Sequence, residues 1–446
     1  MRNTQYVIET MEKYRTALIL GYGRSGRAAE RLLHAEGTET VVLTSETSAD
    51  PEVAQALNDY AFDVCVVSPG FSIAHSWVCA VRDAGIPLLS ELELGWSRHQ
   101  GRTVAVTGSN GKSTAVKWIY EALLLDRRKA AIGGNYGIPA CEAVFNCSDL
   151  EWLVLEVSSF QLETARDFRA DVAVVLNVLP NHLDRHENLE IYRKTKARIF
   201  GPVSSPSRAC LAPVGLLEVL RDDAGGAERS WGSFGGTPDA DYFYENGRVF
   251  HGSDAVLDLR STLFESPIIG SCTGSAVAAV CASMGIPFAV AQRVARHFEP
   301  LPHRLQRAGE LGGVEYINDS KATNLAAVSA AVQACGKNIH LIAGGLPKES
   351  DYTFVKEVLA ERVMSIYLIG QASRAMYQAW NGACPCVECG SLEEAFSAAR
   401  NAAKPGDMVL LSPGCASFDQ FRSFEERGER FMALFQDAVQ AGSDAL

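Results

Sequence analysis

The octapeptide Thr107-Gly108-Ser109-Asn110-Gly111-Lys112-Ser113-Thr114 puts glycines, a lysine and hydroxyls into one turn. It follows the apolar run at 103–106 and leads into 116–120, which predicts a strand, a turn and a helix in that order. Such a turn aims backbone N–H groups at an anion from the positive end of a helix. Lys112 can reach the outer phosphates of a nucleoside triphosphate, and Ser113 or Thr114 can ligate Mg2+. The spacing is the short G-x-x-G-K-S-T form, because Val106 stands where the longer pattern has its first glycine. The prediction is a loop that holds a nucleoside triphosphate.

Further chemistry-bearing groups follow apolar runs of strand length. Glu156 opens Glu156-Val157-Ser158-Ser159-Phe160-Gln161-Leu162-Glu163 at a predicted strand end, where a carboxylate could complete a Mg2+ shell or simply be solvated. His182, in Asn177-Val178-Leu179-Pro180-Asn181-His182-Leu183-Asp184-Arg185-His186, could ligate a metal through neutral imidazole or be an ordinary loop histidine. Lys196, in Tyr192-Arg193-Lys194-Thr195-Lys196-Ala197-Arg198, reads by default as part of a solvated basic helix. Pro302-His303-Arg304 opens a third region, and Asn318-Asp319-Ser320-Lys321-Ala322-Thr323-Asn324 follows its first strand. Acid, lysine and hydroxyls together there could hold a ribose and a carboxylate. Ser412-Pro413-Gly414-Cys415-Ala416-Ser417-Phe418-Asp419-Gln420-Phe421 follows the last strand in the same way.

A second glycine motif, Gly21-Tyr22-Gly23-Arg24-Ser25-Gly26, also lies between a predicted strand and helix. Alone it is a weak dinucleotide signal. A nicotinamide cofactor would want an acid ending the second strand, where Leu43-Thr44-Ser45 stands and Glu46 comes slightly late. A nucleotide diphosphate at the helix N-terminus is the better reading, with Ser68-Pro69-Gly70 lining the same sheet edge.

The elements that must position these groups alternate strand and helix, which predicts parallel α/β layers. Strands are expected at 16–20, 40–43, 64–67 and 87–89, then a connection at 91–101. A second unit has strands at 104–106, 152–157 and 172–178, loops and edge elements at 201–236, and helices at 275–284 and 289–297. Pro300 and Pro302 mark the next boundary. Strands at 315–317, 339–343, 365–369 and 408–411 build the third unit. The expected domains are 1–98, 99–299 and 300–446.

A formal charge of −12 over 446 residues argues against nucleic acid as the main partner. The apolar runs look strand-sized, and the charged N-terminus lacks a secretory core, so no membrane span is expected. Twelve cysteines without a leader suggest reduced thiols in cytoplasm. Cys384-Pro385-Cys386-Val387-Glu388-Cys389 lacks a nearby fourth ligand and makes a poor zinc site.

Taken together, the motifs resemble the Mur ligase family, the ATP-dependent amide-bond ligases of peptidoglycan synthesis, over essentially the whole chain. The resemblance implies a Rossmann-like N-terminal domain for the UDP substrate, a central P-loop ATPase-like domain and a Rossmann-like C-terminal domain for the amino acid. Ser68-Pro69-Gly70, the run at 156–164 and the stretch at 412–428, with its Ser417-Phe418-Asp419-Gln420-Phe421 core, point to the member that adds D-glutamate to UDP-N-acetylmuramoyl-L-alanine. The Asp-Asn-Pro-Arg motif usual in the ligase for the third residue is absent. By the resemblance, Gly108, Ser109, Asn110, Gly111, Lys112, Ser113, Thr114, Arg304 and Asp319 bind ATP, with Lys112 on the γ-phosphate. Ser113, Thr114 and Glu156 surround a first Mg2+; His182 and a carbamylated Lys196 serve a second. His303 joins the ATP site with Arg304 and Asp319. Ser25, Thr44, Ser68 and Asn135 contact the UDP-sugar substrate, and Lys321, Thr323, Lys348, Ser417 and Phe424 hold D-glutamate.

Two departures stand out. Gly270-Ser271-Cys272-Thr273-Gly274 replaces the usual Gly-x-His-Asn, which implies altered contacts on the adenine side. Leu43 stands where an acid often lies near the uracil. Activity is expected to survive both, in a cytoplasmic monomer. The alternatives are another Mur member or a folylpolyglutamate synthase, and, in a different class, a regulatory ATPase without ligase activity.

Overall fold

The computed structural model describes residues 13–44, 50–147, 149–226, 229–348 and 351–443. Its strands form three sheets in chain order. The first holds β1 (Thr16–Leu20), β2 (Glu39–Leu43), β3 (Val64–Val67) and β4 (Leu88–Ser90), all parallel in the order β2-β1-β3-β4. The second holds β5 (Arg102–Thr107), β6 (Ala130–Gly134), β7 (Trp152–Glu156), β8 (Val172–Val175), β9 (Ala209–Pro213), β10 (Ser230–Gly235), β11 (Tyr242–Glu245), β12 (Arg248–His251) and β13 (Asp254–Asp258). Its order is β13-β12-β11-β10-β9-β8-β5-β7-β6, parallel except for the antiparallel pairs β11–β12 and β12–β13.

The third sheet holds β14 (Gln306–Leu311), β15 (Val314–Asn318), β16 (Ile339–Gly344), β17 (Val363–Ile369), β18 (Cys386–Gly390) and β19 (Met408–Leu411). Its order is β14-β15-β19-β16-β17-β18, with only β14–β15 antiparallel. Two compact units result. One takes in the chain to Glu265 with Gly270–Arg296, and the other Ser266–Ile269 with the chain from His297.

Continuous apolar runs make the central strands. Val104, Val106, Leu153, Leu155 and Val172 through Val175 are buried on both faces, as a parallel sheet covered by helices requires. In each sheet the loops that leave the carboxyl ends carry the residues singled out above, at the edge where open α/β folds bind ligands.

Several expectations need correction. The connection at 91–101 contains a helix, Glu91–Ser97, capped by Ser90, whose side chain accepts from Glu93 N. Its buried carboxylates hold backbone amides of the second-sheet region: Glu91 accepts from Cys141 N at 2.6 Å and Glu93 from Arg166 N at 2.8 Å. The small and polar stretch at 201–236 contains β9, β10 and the helix Leu217–Asp223, because alanines and serines fill a buried strand as readily as a loop. β8 stops at Val175, three residues short of expectation, and frees Asn177 for other bonds. β6, β11–β13, β14 and β18 lie outside the expected strands. The helical stretch Pro267–Met284 is long and apolar enough to cross a membrane by length and composition, so the longest apolar run is not strand-sized; 61% of it is buried inside the protein.

Candidate active site

The loop after β5 begins its helix, Lys112–Leu125, at Gly111 with φ 82, a left-handed conformation that suits glycine. Neighbouring side chains enclose the loop. Asn177 Oδ1 accepts from Ser109 N at 2.9 Å and Asn110 N at 3.0 Å, and its Nδ2 donates to Asn110 O. Ser109 Oγ donates to Leu179 O and accepts from Leu179 N, each at 2.9 Å, and lies 3.3 Å from the Tyr192 hydroxyl. Lys112 Nζ donates to Gly108 O at 2.7 Å and Ser109 O at 3.0 Å.

Lys196 lies on the helix Leu189–Ala197, and it is only 1% exposed, so the default reading of a solvated side chain fails. Its Nζ donates to Gly108 O at 3.0 Å and Thr107 Oγ1 at 3.3 Å, over the Tyr192 ring at 4.5 Å. Burial, reinforced by the Lys112 charge, drives its ammonium well below the usual lysine range, with Glu156 opposing. The second-sheet core therefore brings a weakly basic amine to the phosphate loop.

Glu156, at the end of β7, is buried and accepts from Ser113 Oγ and, at 2.6 Å, from Asn135 Nδ2. Thr114 follows, half-buried, in the first helical turn. Among the described residues no group of three or more His, Cys, Asp or Glu side chains converges. One hydroxyl and one carboxylate suit Mg2+, which keeps waters and phosphate oxygens, better than a metal needing three or four side-chain ligands. His182, half-buried at φ 56, packs edge-on against Phe160 at 4.8 Å.

Cys272 and Thr273 also border this loop, on the π-helical turn Gly270–Gly274. Asn177 Nδ2 donates to Cys272 Sγ at 3.2 Å, and a Cβ on Gly111 would lie 3.3 Å from Thr273 Oγ1.

The first sheet presents Ser25, Thr44 and Ser68, all half-buried, after β1, β2 and β3. Gly21 N donates to Leu43 O at 2.8 Å, and Ser68 Oγ donates to Gly21 O at 3.1 Å, so three strand ends join. Arg24 reaches Gly137 O at 2.9 Å, beside Asn135. Glu46 lies outside the described residues.

In the second unit, Asp319 is buried. It accepts from Leu305 N at 3.2 Å and Ser412 Oγ at 3.0 Å, and desolvation raises its carboxyl to about 7. His303, at φ 61, takes Asn318 Nδ2 onto its Nδ1 at 3.0 Å, and burial lowers its pKa. Lys321 Nζ lies 3.6 Å over the Phe424 ring. Ser417 is buried, while Arg304 and Thr323 are half-buried and Lys348 is exposed.

Arg427, without a role in the sequence reading, is fully buried and ties these loops. It donates to Ser320 Oγ at 3.0 Å, Ser320 O at 2.8 Å and Cys415 O at 3.2 Å. Asn177, Tyr192 and Arg185 were likewise missed. The one available signal was a polar residue just past a buried strand, as at Asn177, two residues beyond β8.

Comparison with known proteins follows the same division. The Mur ligase middle domain model matches residues 106–283, and the Mur ligase glutamate ligase domain model matches 303–415. A UDP-N-acetylmuramoylalanine–D-glutamate ligase of Acidobacterium capsulatum is 35% identical over 96% of this chain and 97% of its own. The Bacillus subtilis protein of that name is 31% identical over 93% and 96%. Among solved structures, the MurF ligase of Thermotoga maritima in complex with ADP aligns with TM-score 0.59 and 17% identity over 95% of each chain. MurC from the same organism aligns with TM-score 0.59 and 14% identity over 95% of this chain and 100% of its own.

Proposed function

This chain belongs to the Mur ligase family, and on that premise we propose that it joins D-glutamate to UDP-N-acetylmuramoyl-L-alanine at the expense of ATP. The acceptor and donor follow from curated relatives matched over nearly their full length. The observation that carries the chemistry is Lys196, a buried amine sharing the Gly108 carbonyl with the phosphate-loop lysine.

A carboxylate and an amine do not condense in water, so the muramoyl-alanine carboxylate first attacks the γ-phosphate and ADP leaves. Lys112 offsets the charge of the transferred group, and backbone N–H groups of the loop orient the phosphates. The amine of D-glutamate then attacks the acyl phosphate, giving a tetrahedral intermediate that collapses with loss of phosphate. Ser113, Thr114 and Glu156 would hold a first Mg2+, and His182 with Lys196 a second, supplying charge neutralisation to the triphosphate. The depressed basicity of Lys196 suits addition of CO2: the neutral nitrogen bonds to carbon, a proton leaves, and the lysine becomes an anionic carbamate.

Gly108, Ser109, Asn110 and Gly111 are assigned to ATP, as are His303, Arg304 and Asp319 in the second unit. Ser25, Thr44, Ser68 and Asn135 are assigned to the UDP substrate, and Lys321, Thr323, Lys348, Ser417 and Phe424 to D-glutamate. We read 1–98, 99–299 and 300–446 as the domains for UDP substrate, ATP and amino acid. Free thiols at all twelve cysteines suit a reducing cytoplasm, and we place the chain there as a monomer.

The test is phosphate release from ATP with UDP-N-acetylmuramoyl-L-alanine, comparing D-glutamate, L-glutamate, L-lysine and no amino acid. Release that depends on D-glutamate is expected. Release indifferent to the amino acid would overturn the assignment in favour of a regulatory ATPase.

A further inference from the structure

Arg185 is three residues from His182 and makes bonds that the catalytic reading leaves unused. Its Nε and Nη2 fork onto the Glu163 carboxylate at 2.9 and 2.6 Å. The remaining N–H groups reach the turn that follows β3 of the first sheet: Nη1 donates to Pro69 O at 2.8 Å and Nη2 to Phe71 O at 2.7 Å. The pair is largely enclosed, with side-chain exposures of 14% and 6%. The guanidinium also lies 4.1 Å over the Phe160 ring, the ring against which His182 packs. On the other side of Glu163, His186 Nδ1 is 3.7 Å away, and His186 Nε2 is 2.9 Å from Ser159 Oγ.

Pro69 and Phe71 flank Gly70 in the turn after β3. Arg185 holds that turn from one side, and Ser68 Oγ anchors its start to Gly21 O. Gly70 itself is exposed, and a Cβ there would meet no atom within 4 Å. A turn anchored at Ser68, Pro69 and Phe71, with Gly70 exposed, can present backbone to a ligand.

We propose that Arg185 is a positioning residue that sets the register between the nucleotide end of the UDP substrate, at the Gly21 and Ser68 turns, and its carboxylate, near His182. The inference rests on the ligase reading above. A long substrate held at both ends reacts only if the two ends are correctly spaced, and the two carbonyl bonds of Arg185 set that spacing. A guanidinium fork is needed, since an ammonium cannot bridge a carboxylate and two carbonyls in one plane.

The experiment is steady-state kinetics of wild type, Arg185→Lys, Arg185→Ala and Glu163→Gln, with each of the three substrates varied in turn. Loss of a buried charge-assisted network should raise KM for the UDP substrate about 10- to 100-fold in Arg185→Ala, while KM for ATP and for D-glutamate stays within about 2-fold. Arg185→Lys and Glu163→Gln should fall between, which keeps the test alive if Arg185→Ala does not fold. Uniform rises in all three KM values, or a lowered melting temperature with unchanged KM, would mean a structural role only and overturn the proposal. A wild type without D-glutamate-dependent turnover sinks the ligase reading and this inference together; a working wild type with indifferent variants sinks this inference alone.

Discussion

The turns at 21–26 and 108–114 both leave a buried parallel strand and open a helix, yet their surroundings differ. At the first, Tyr22, Gly23 and Arg24 are exposed. At the second, Asn177, Tyr192 and Lys196 close on the loop from β8 and the helix Leu189–Ala197. An open turn is suited to grip part of a substrate that undergoes no chemistry. A caged loop has its backbone fixed before substrate arrives, which lowers the reorganisation that stabilising a transition-state charge would otherwise need.

Removing the deepest part of the cage should have the largest effect. Lys196→Ala is expected to lower D-glutamate-dependent phosphate release by about 1,000-fold, the scale of a lost electrostatic stabiliser. Partial recovery with added short carboxylates would separate the carbamate charge from simple packing. Unchanged turnover removes Lys196 from the mechanism.

Asn177→Ala takes the side-chain acceptor from the Asn110 amide and leaves Ser109 N only the residue-177 carbonyl, at 3.2 Å. We expect KM for ATP to rise about 10-fold and unfolding free energy to fall by about 1–3 kcal/mol, by kinetics and urea titration. KM for the UDP substrate should hold. A parallel rise there would erase the distinction between the two turns.

The open turn is probed by two glycines. A Cβ on Gly26 would sit 2.0 Å from Gly21 O, whereas one on Gly23 meets nothing within 4 Å. Gly26→Ala should cost about 2–4 kcal/mol of stability and weaken UDP-substrate binding, while Gly23→Ala stays within about 0.5 kcal/mol. Equal melting curves for the two variants would contradict the packing.

The smallest effect on activity belongs to the helix that follows the first sheet. Burial raises the Glu91 carboxyl from the ordinary 4.5 to about 7. The folded chain therefore binds this proton more tightly than the unfolded chain, so this contribution to stability is full below pH 4.5 and is lost as pH rises through about 7. Glu91→Gln, which keeps an acceptor for Cys141 N, should gain about 2–3 kcal/mol on wild type across that window. Parallel pH profiles of melting temperature would show that Glu91 is ionised throughout.

Much of this architecture was legible in the residues. Strands expected at 16–20, 64–67 and 408–411 and the helix expected at 275–284 coincide with observed elements. Buried parallel strands announce themselves through unbroken apolar runs, and no alternative structure competes for Val172 through Val175. The helix Glu91–Ser97 was hidden because its glutamates look solvated in sequence and are buried in fact. The meander β11–β13 has half-exposed residues and weak alternation. At the site, the loop lysine, Glu156 and His182 could be singled out by type and place. Asn177 carried only the sign of a polar residue just past a buried strand, and Arg185 and Arg427 carried none, since the partners of the three lie 68, 116 and 107 residues away.

The sequence by itself determined local matters: where the glycine turns fall, which strands are buried, and which side chains could meet phosphate. These follow from short-range sterics and from hydrophobic periodicity, both of which act within a few residues. The tertiary structure alone decided that Lys196 is enclosed and poorly basic, that Asn177 holds the phosphate loop, and that Arg185 binds two carbonyls of the turn leaving another sheet. Desolvation and hydrogen bonding between distant segments exist only after the sheets have packed, and these groups acquire their properties there.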